Sequence, residues 1–338
     1  MKAQKILIRG PNWIGDSVLS LPAIRALRAH FPDSEITILV RPWVADLFQS
    51  ASFIDRVWIQ PKPKGFMEWW QTAKEIRGKQ FDLAILLPNS FESALTAYMA
   101  GIPSRVGYST DGRKLLLTQS IRPTKTKQHQ YQYYLDLICK TFGSTEPSNV
   151  EMFATPQARA DAWLLLEKAG IPAGRNFVAI NPGAAFGGAK RWYEERFAAV
   201  ADLMAERENL AVAIVGSEAE LKIGKRVGQL MKHDAAILSG RTSLETLIGL
   251  LAEASVMVTN DSGPMHIAAA LGTPTVAVFG STDAEITSPV GTNTKVISKA
   301  VACSPCMLRE CPIDHRCMDA VTVEEVYASA AQIAAKTA

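Results

Sequence analysis

Short, nearly continuous apolar runs alternate along the chain with stretches in which apolar residues return every third or fourth position. In the first half, Lys5–Arg9, Glu35–Val40, Val57–Ile59 and Asp82–Leu87 read as strands. Between the first two, Val18, Leu21, Ile24, Leu27 and Phe31 form one stripe, with Arg25 and Arg28 off it, so Ser17–His30 reads as a single amphipathic helix. In the second half, Phe177–Asn181, Ala211–Gly216, Ser255–Thr259 and Thr275–Phe279 are expected strands. Helical patterns over Glu194–Glu208, Glu218–Met231 and Ser243–Ala252 separate them. Strands apolar on both faces and alternating with helices imply parallel sheets covered on both sides. The helical stretch Gln157–Ala169 runs into Gly170-Ile171-Pro172-Ala173-Gly174 and a fresh strand, which predicts two doubly wound Rossmann-like α/β domains. The expected division is 1–170 and 171–338, the two domains facing across a cleft. The Ala-rich last helix, Val323–Lys336, could pack on either one.

A chain of 338 residues is long enough for two such cores. Thirty-six basic against 33 acidic residues leave a net charge of +3, without the concentrated basic face that nucleic-acid binding calls for. No apolar run is long enough to span a bilayer, and Arg9 interrupts the short apolar start, so neither a membrane helix nor a signal peptide is expected. The reading is a cytoplasmic protein. Five cysteines, an odd number, do not suggest a disulfide framework there.

Ligands of open parallel sheets bind beyond the carboxyl ends of the strands, so the loops that follow strands carry the candidate chemistry. The first is Gly10-Pro11-Asn12-Trp13-Ile14-Gly15-Asp16. Asp16 at the start of a helix is either a capping acid or a base that accepts a proton from a substrate hydroxyl. The second, Asn181 to Trp192, contains Gly183, Gly187 and Gly188 followed by Lys190 and Arg191. Small residues admit an anion close to the backbone and Lys190 can neutralise it, although the loop fits neither the Walker pattern nor GxGxxG. The third, Thr259-Asn260-Asp261-Ser262-Gly263-Pro264-Met265-His266, opens a helix expected to run to Leu271, with Pro264 in its first turn. Such a helix start suits a phosphate, with His266 in reach; the plain alternative makes Ser262 a cap and His266 a packing residue. Together the loops suit a deprotonated acceptor attacking a sugar whose leaving group is a nucleoside diphosphate.

These residues resemble the heptosyltransferases of bacterial lipopolysaccharide assembly, a GT-B family of glycosyltransferases. Asn12-Trp13-Ile14-Gly15-Asp16 is similar to the family's N-terminal signature. Leu87-Pro88-Asn89-Ser90-Phe91-Glu92-Ser93-Ala94 and Ala100-Gly101-Ile102-Pro103 resemble its heptosyltransferase II branch in particular. Asn181-Pro182-Gly183, Lys190-Arg191-Trp192, Gly240-Arg241-Thr242-Ser243-Leu244 and Asp261 to His266 resemble its donor domain. The resemblance implies a metal-independent, inverting transfer of L-glycero-D-manno-heptose from ADP-heptose to the first heptose of the inner core on lipid A. It implies Asp16 as general base and Lys190 as the stabiliser of the diphosphate. Gly183, Asp261, Ser262, Gly263 and His266 would sit at the phosphates, Thr242 and Ser243 at the adenine end, and Glu218 at the ribose. Asn12, Asn89 and Ser90 would face the acceptor, with Arg113, Lys114 and Arg122 for its acidic groups. The acceptor further implies peripheral contact at the inner face of the inner membrane. Rival readings are a heptosyltransferase with another inner-core acceptor, a nucleotide-sugar epimerase of the same fold, and a nucleotide-binding module without catalysis.

Cys303, Cys306, Cys311 and Cys317 form C-x2-C-x4-C-x5-C with His315 inside. They are candidate ligands of a structural zinc or an iron–sulfur cluster, the alternatives being reduced surface thiols or a labile disulfide. Cys139 reads as a separate core thiol.

Overall fold

The computed structural model describes residues 3–143 and 149–335. They fall into two compact units, Met1–Val150 and Glu151–Ala338. The first contains β1 (Lys5–Arg9), α1 (Ile14–Leu19), α2 (Leu21–His30), β2 (Glu35–Val40), α3 (Asp46–Gln49), β3 (Arg56–Ile59), α4 (Phe66–Lys79), β4 (Leu83–Leu86), α5 (Phe91–Met99), β5 (Ser104–Tyr108), β6 (Gln119–Ile121) and α6 (Gln130–Phe142). The second contains α7 (Pro156–Lys168), β7 (Phe177–Asn181), α8 (Glu194–Arg207), β8 (Ala211–Ile214), α9 (Leu221–Leu230), β9 (Ala236–Ile237), α10 (Leu244–Glu253), β10 (Val256–Asn260), α11 (Gly263–Ala270), β11 (Thr275–Phe279), α12 (Ala284–Thr287), β12 (Thr294–Ser298), α13 (Arg316–Asp319) and α14 (Val323–Ala334).

Each unit holds one six-stranded sheet, ordered β3-β2-β1-β4-β5-β6 in the first and β12-β11-β10-β7-β8-β9 in the second. All pairings are parallel. The strand order reverses between β1 and β4 in one unit and between β7 and β10 in the other. At such a switch point the loops leave in opposite directions and open a crevice above the strand ends, so Asp16 and Lys190 both follow switch-point strands. The apolar residues of the central strands are buried: Ile6, Ile8, Ile36, Leu83 and Val106 in one sheet, Val178, Ile180, Val258 and Val278 in the other. Each such side chain contributes roughly 1.5–3 kcal/mol on burial.

The expected helix Ser17–His30 is two. The chain breaks at Ser20, with Pro22 in the first turn of α2, although the apolar stripe runs on unbroken. Glu218–Met231 likewise starts as a separate 3-10 turn, Glu218–Glu220, before α9. The units part at Val150, earlier than the 170/171 division expected, because α7 is fastened to the second unit. A Cβ at Gly249 of α10 would collide with the Ala158 carbonyl, so only glycine allows this approach. Trp163 Nε1 of α7 donates to Glu253 Oε2 at 3.0 Å. The last helix packs on the second unit, with Val326, Ala330 and Ile333 in one apolar cluster with Val258 and Val276. Lys336, at the end of its expected span, lies outside the described residues. No described helix is long and apolar enough to cross a membrane.

Candidate functional site

In the second unit, the side chains at the ends of β7 and β10 tie their two loops together. Asn260 Nδ2 donates to the Pro182 carbonyl at 2.8 Å, and Asn260 Oδ1 accepts the Trp192 N–H at 2.9 Å. Asn181 Nδ2 donates to Ser262 Oγ at 2.8 Å and to Thr259 Oγ1 at 3.0 Å. Ser262 therefore stands at the N-cap position of α11 with its side chain turned away, making no side-chain cap. The first-turn N–H groups of Gly263 and Met265 are left uncapped by that hydroxyl, which is the arrangement that suits an anion. His266 is buried in the same turn.

Lys190 Nζ donates to Asp261 Oδ2 at 2.5 Å, and the same oxygen accepts from Thr282 Oγ1 at 2.5 Å. The side chains are 14% and 5% exposed, so the ion pair is largely shielded from water. Asp261 is thereby occupied with protein donors. A carboxylate offers a diphosphate nothing directly; what it provides is a fixed ammonium. The Phe186 ring lies 4.8 Å from Lys190 Nζ.

The glycines of this loop serve neighbours within the protein rather than open space. A Cβ at Gly183 would overlap the Glu220 carboxyl, and one at Gly187 the Arg309 carbonyl. Arg309 O accepts the Ala189 N–H at 2.8 Å, Glu310 Oε1 accepts the Gly188 N–H at 3.0 Å, and His315 Nε2 lies 3.0 Å from Ala189 O. The cysteine-bearing segment thus braces the Lys190 loop from behind. It braces the Thr282 loop too, through Met307 N to Ser281 O at 2.7 Å and Ser304 Oγ to Gly280 O at 2.6 Å.

The expected adenine-side residues are brought near one another. Gly240 sits in the left-handed region with Glu218 against it, a Cβ there lying 3.0 Å from Glu218 Cα. Thr242 follows two positions on, and Ser243 caps α10 by accepting the Thr246 N–H at 3.0 Å.

In the first unit, Asp16 occupies the third position of α1, and Tyr134 Oη of α6 donates to its Oδ1 at 2.9 Å. Burial, and next the Asp16 charge, hold the Tyr134 phenol well above the ordinary tyrosine value. Asn12 accepts from Arg9 Nη2 at 2.7 Å, and Trp43 Nε1 donates to its carbonyl at 2.7 Å. Asn89 pairs with Tyr133, its Nδ2 donating to the phenol oxygen at 2.8 Å, while Ser90 caps α5. Lys114 and Arg122 are exposed, as an acceptor contact requires. Arg113 is not. It is fully buried, and its guanidinium donates to the carbonyls of Tyr108 (2.9 Å), Pro88 and Ser90 and to Ser93 Oγ (3.1 Å). It holds the loop after β4 from within and cannot meet a ligand. Sequence reasoning also missed Tyr134 and Thr282, and gave Asn181 and Asn260 no role within their motifs, because their partners are distant in the chain.

The four clustered cysteines are free: Cys303 and Cys306 exposed, Cys311 intermediate, Cys317 buried. Burial first, then the neighbouring thiols, push the Cys317 thiol up. Among the described residues no group of three or more His, Cys, Asp or Glu side chains is placed to hold a metal ion, so the expected ligand set is not assembled. Cys139 is partly exposed on α6 rather than a core thiol. One cavity, about 870 Å³, is lined by Lys5, Glu35 and Arg56 at the amino ends of β1, β2 and β3. A smaller one, about 50 Å³, lies among Arg9, Asn12, Arg41 and Ser90 at the carboxyl ends. Topology favours the smaller one.

The sequence pattern of glycosyltransferase family 9 (heptosyltransferase) matches residues 69–316, most of the chain. The chain belongs to that family. The matched span contains the Lys190 and Asp261 loops, and Asp16 precedes it. Lipooligosaccharide heptosyltransferase 2 of Haemophilus ducreyi is 32% identical over 87% of this chain and 88% of its own. The solved structure of the Escherichia coli ADP-heptose LPS heptosyltransferase II is 25% identical, with a TM-score of 0.86 over 98% of this chain and 99% of that one. Escherichia coli heptosyltransferase WaaC, solved with ADP-2-deoxy-2-fluoro heptose, shares the fold at 19% identity and a TM-score of 0.69, covering 99% of this chain and 100% of that one. Two doubly wound Rossmann-like units in one chain are thus the GT-B arrangement of this glycosyltransferase family.

Proposed function

We propose that this family 9 glycosyltransferase moves L-glycero-D-manno-heptose from ADP-heptose to the first heptose of the lipopolysaccharide inner core. The heptosyltransferase 2 relatives support the reaction. The observation that carries the donor assignment is the Lys190–Asp261–Thr282 network beside the first turn of α11, a positive charge fixed next to uncapped N–H groups. Such pre-placed donors stabilise charge as it develops, without reorganising at the moment of reaction.

In this reading the acceptor hydroxyl gives its proton to the Asp16 carboxylate as its oxygen bonds to the anomeric carbon. The bond from that carbon to the β-phosphate oxygen breaks on the opposite face, and the electron pair leaves with ADP. Configuration inverts, and the displacement calls for no catalytic cofactor. Tyr134 orients Asp16; Lys190 and the α11 turn hold the diphosphate, aided by His266. Glu218, Thr242 and Ser243 take the nucleoside. Asn12, Asn89, Ser90, Lys114 and Arg122 face the acceptor. The second unit is accordingly the donor-binding one and the first the acceptor-binding one. A lipid A-linked acceptor places the reaction in the cytoplasm, at the inner face of the inner membrane.

The test is transfer from ADP-heptose to inner-core acceptors carrying no heptose or one. Product with the one-heptose acceptor alone is expected. Product with the heptose-free acceptor moves the assignment to an earlier step, and donor turnover without any acceptor replaces transfer by epimerisation.

A further inference from the structure

Arg9 ends β1 and Arg41 directly follows β2, so neighbouring parallel strands deliver two guanidinium groups to the same side of the sheet. Both are held by neutral oxygens. Arg9 Nη1 donates to the Gly10 carbonyl at 2.6 Å and Nη2 to Asn12 Oδ1 at 2.7 Å. Arg41 Nη1 donates to the Pro61 carbonyl at 2.7 Å. Arg41 is only 7% exposed. Burial, and next the charge of Arg41, push Arg9 down to about 10, against a smaller opposing pull from Glu92.

Two desolvated like charges need an anion nearby, because water no longer screens their repulsion. Glu92 is the acid beside them. Its Oε1 lies 3.9 Å from Arg41 Nη2, beyond hydrogen-bond distance, on a side chain that is 56% exposed. Two cations against one loosely held carboxylate leave a positive charge in excess. The cavity of about 50 Å³ lies against this pair, with Asn12 and Ser90 in its wall and Trp69 on its apolar side. A water molecule's share of liquid volume is about 30 Å³. The space therefore suits one small oxyanion, bound by a guanidinium fork that matches its planar or tetrahedral oxygens.

We propose that Arg9 and Arg41 form an anion-binding subsite in the first unit that takes one carboxylate or phosphate group of the sugar acceptor. The assignment to the acceptor rests on the transfer proposed above. It replaces the role expected of Arg113, whose guanidinium is spent on the protein's own carbonyls.

The experiment uses the full chain and its Arg41→Gln, Arg41→Lys and Glu92→Gln variants, each checked for an unaltered melting curve. Arg41→Gln is expected to raise the acceptor KM at least tenfold, leaving kcat and the donor KM within twofold, with Arg41→Lys intermediate. Acceptors with esterified carboxylates or with phosphates removed identify the group. The one that matters weakens the unaltered enzyme by the same factor and leaves Arg41→Gln unaffected. An unchanged acceptor KM in Arg41→Gln overturns the subsite. Inorganic phosphate, titrated calorimetrically with ADP saturating, reads the subsite without turnover. Binding should be lost in Arg41→Gln and tightened in Glu92→Gln. If the unaltered chain transfers no heptose yet shows that phosphate pattern, the transfer reading fails and the subsite stands; no phosphate binding by the unaltered chain overturns the subsite itself.

Discussion

The Tyr134 hydroxyl donates to Asp16 at 2.9 Å, joining α6 to the first turn of α1 across 118 positions of sequence. A hydrogen bond to a charged group contributes roughly 1.5–3 kcal/mol. In the proposed transfer this bond fixes which carboxylate oxygen faces the acceptor. Tyr134→Phe should therefore lower kcat roughly 10–100-fold, at 1.4 kcal/mol per tenfold, with the donor KM unchanged. Tyr133→Phe, which loses the bond to Asn89 instead, should alter the acceptor KM and spare kcat. Equal effects of the two substitutions on kcat would deny Tyr134 its positioning role.

Removing either member of the shielded pair Lys190–Asp261 leaves a desolvated charge unpaired, but only the lysine meets the diphosphate. Lys190→Ala removes the cation that meets the diphosphate and should weaken ADP binding roughly 10–100-fold. Asp261→Ala leaves an ammonium in a largely dry site and should cost roughly 3–5 kcal/mol of stability, seen as a lower urea midpoint. Both variants should melt earlier in urea, so calorimetric ADP titration on the folded proteins is what reads the loss of the binding cation in Lys190→Ala. Undiminished ADP affinity in Lys190→Ala would remove the donor site from this loop.

Glu310 reaches the same loop from the cysteine-bearing segment, accepting the Gly188 N–H at 3.0 Å. It is exposed, so Glu310→Ala should change global stability by less than about 1 kcal/mol. ADP affinity should nevertheless fall about two- to fivefold, because the backbone ahead of Lys190 loses a support. An unchanged affinity with an unchanged melt would mean the segment braces a loop that needs no bracing.

Alkaline pH should loosen the first unit. Burial raises the phenols of Tyr108, Tyr133 and Tyr134 above the ordinary value, near 10, that they regain on unfolding. A raised folded value means stability is fully present below about pH 10 and is lost as pH climbs toward the folded values, since only the unfolded chain then releases these protons. Melting temperatures from pH 8 to 11 should hold and then fall, with a shallower fall in Tyr134→Phe. A flat profile to pH 11 would contradict the burial of these phenols.

The sequence reveals the apolar strands and little of what joins them. Phe177–Asn181 and Thr275–Phe279 are read to the residue because both faces are covered and four consecutive apolar residues in each end at a polar one, Asn181 or Thr275. The short edge strands β6 and β9, three and two residues long, carry too few side chains to form a pattern. The loops of Asp16, Lys190 and Asp261 are legible because chemistry follows strands in such sheets. Their partners are not: Lys190 finds Asp261 71 positions away, and Arg113 reads as a contact for the acceptor's acidic groups until its guanidinium is traced to the carbonyls of Tyr108, Pro88 and Ser90 and to Ser93 Oγ. The cysteine-bearing segment braces two loops through Ser304, Met307, Arg309 and Glu310, contacts that the spacing of its cysteines does not announce.

The central claim is that Asp16 takes a proton from a one-heptose acceptor while ADP leaves. The most direct measurement is the single-turnover rate of heptose transfer from ADP-heptose to that acceptor, for the unaltered chain and for Asp16→Asn side by side, with ADP affinity measured on both. The account predicts transfer by the unaltered chain, a loss of roughly 10²–10⁴-fold in Asp16→Asn, and equal ADP affinity. Equal transfer rates in the two proteins would contradict it.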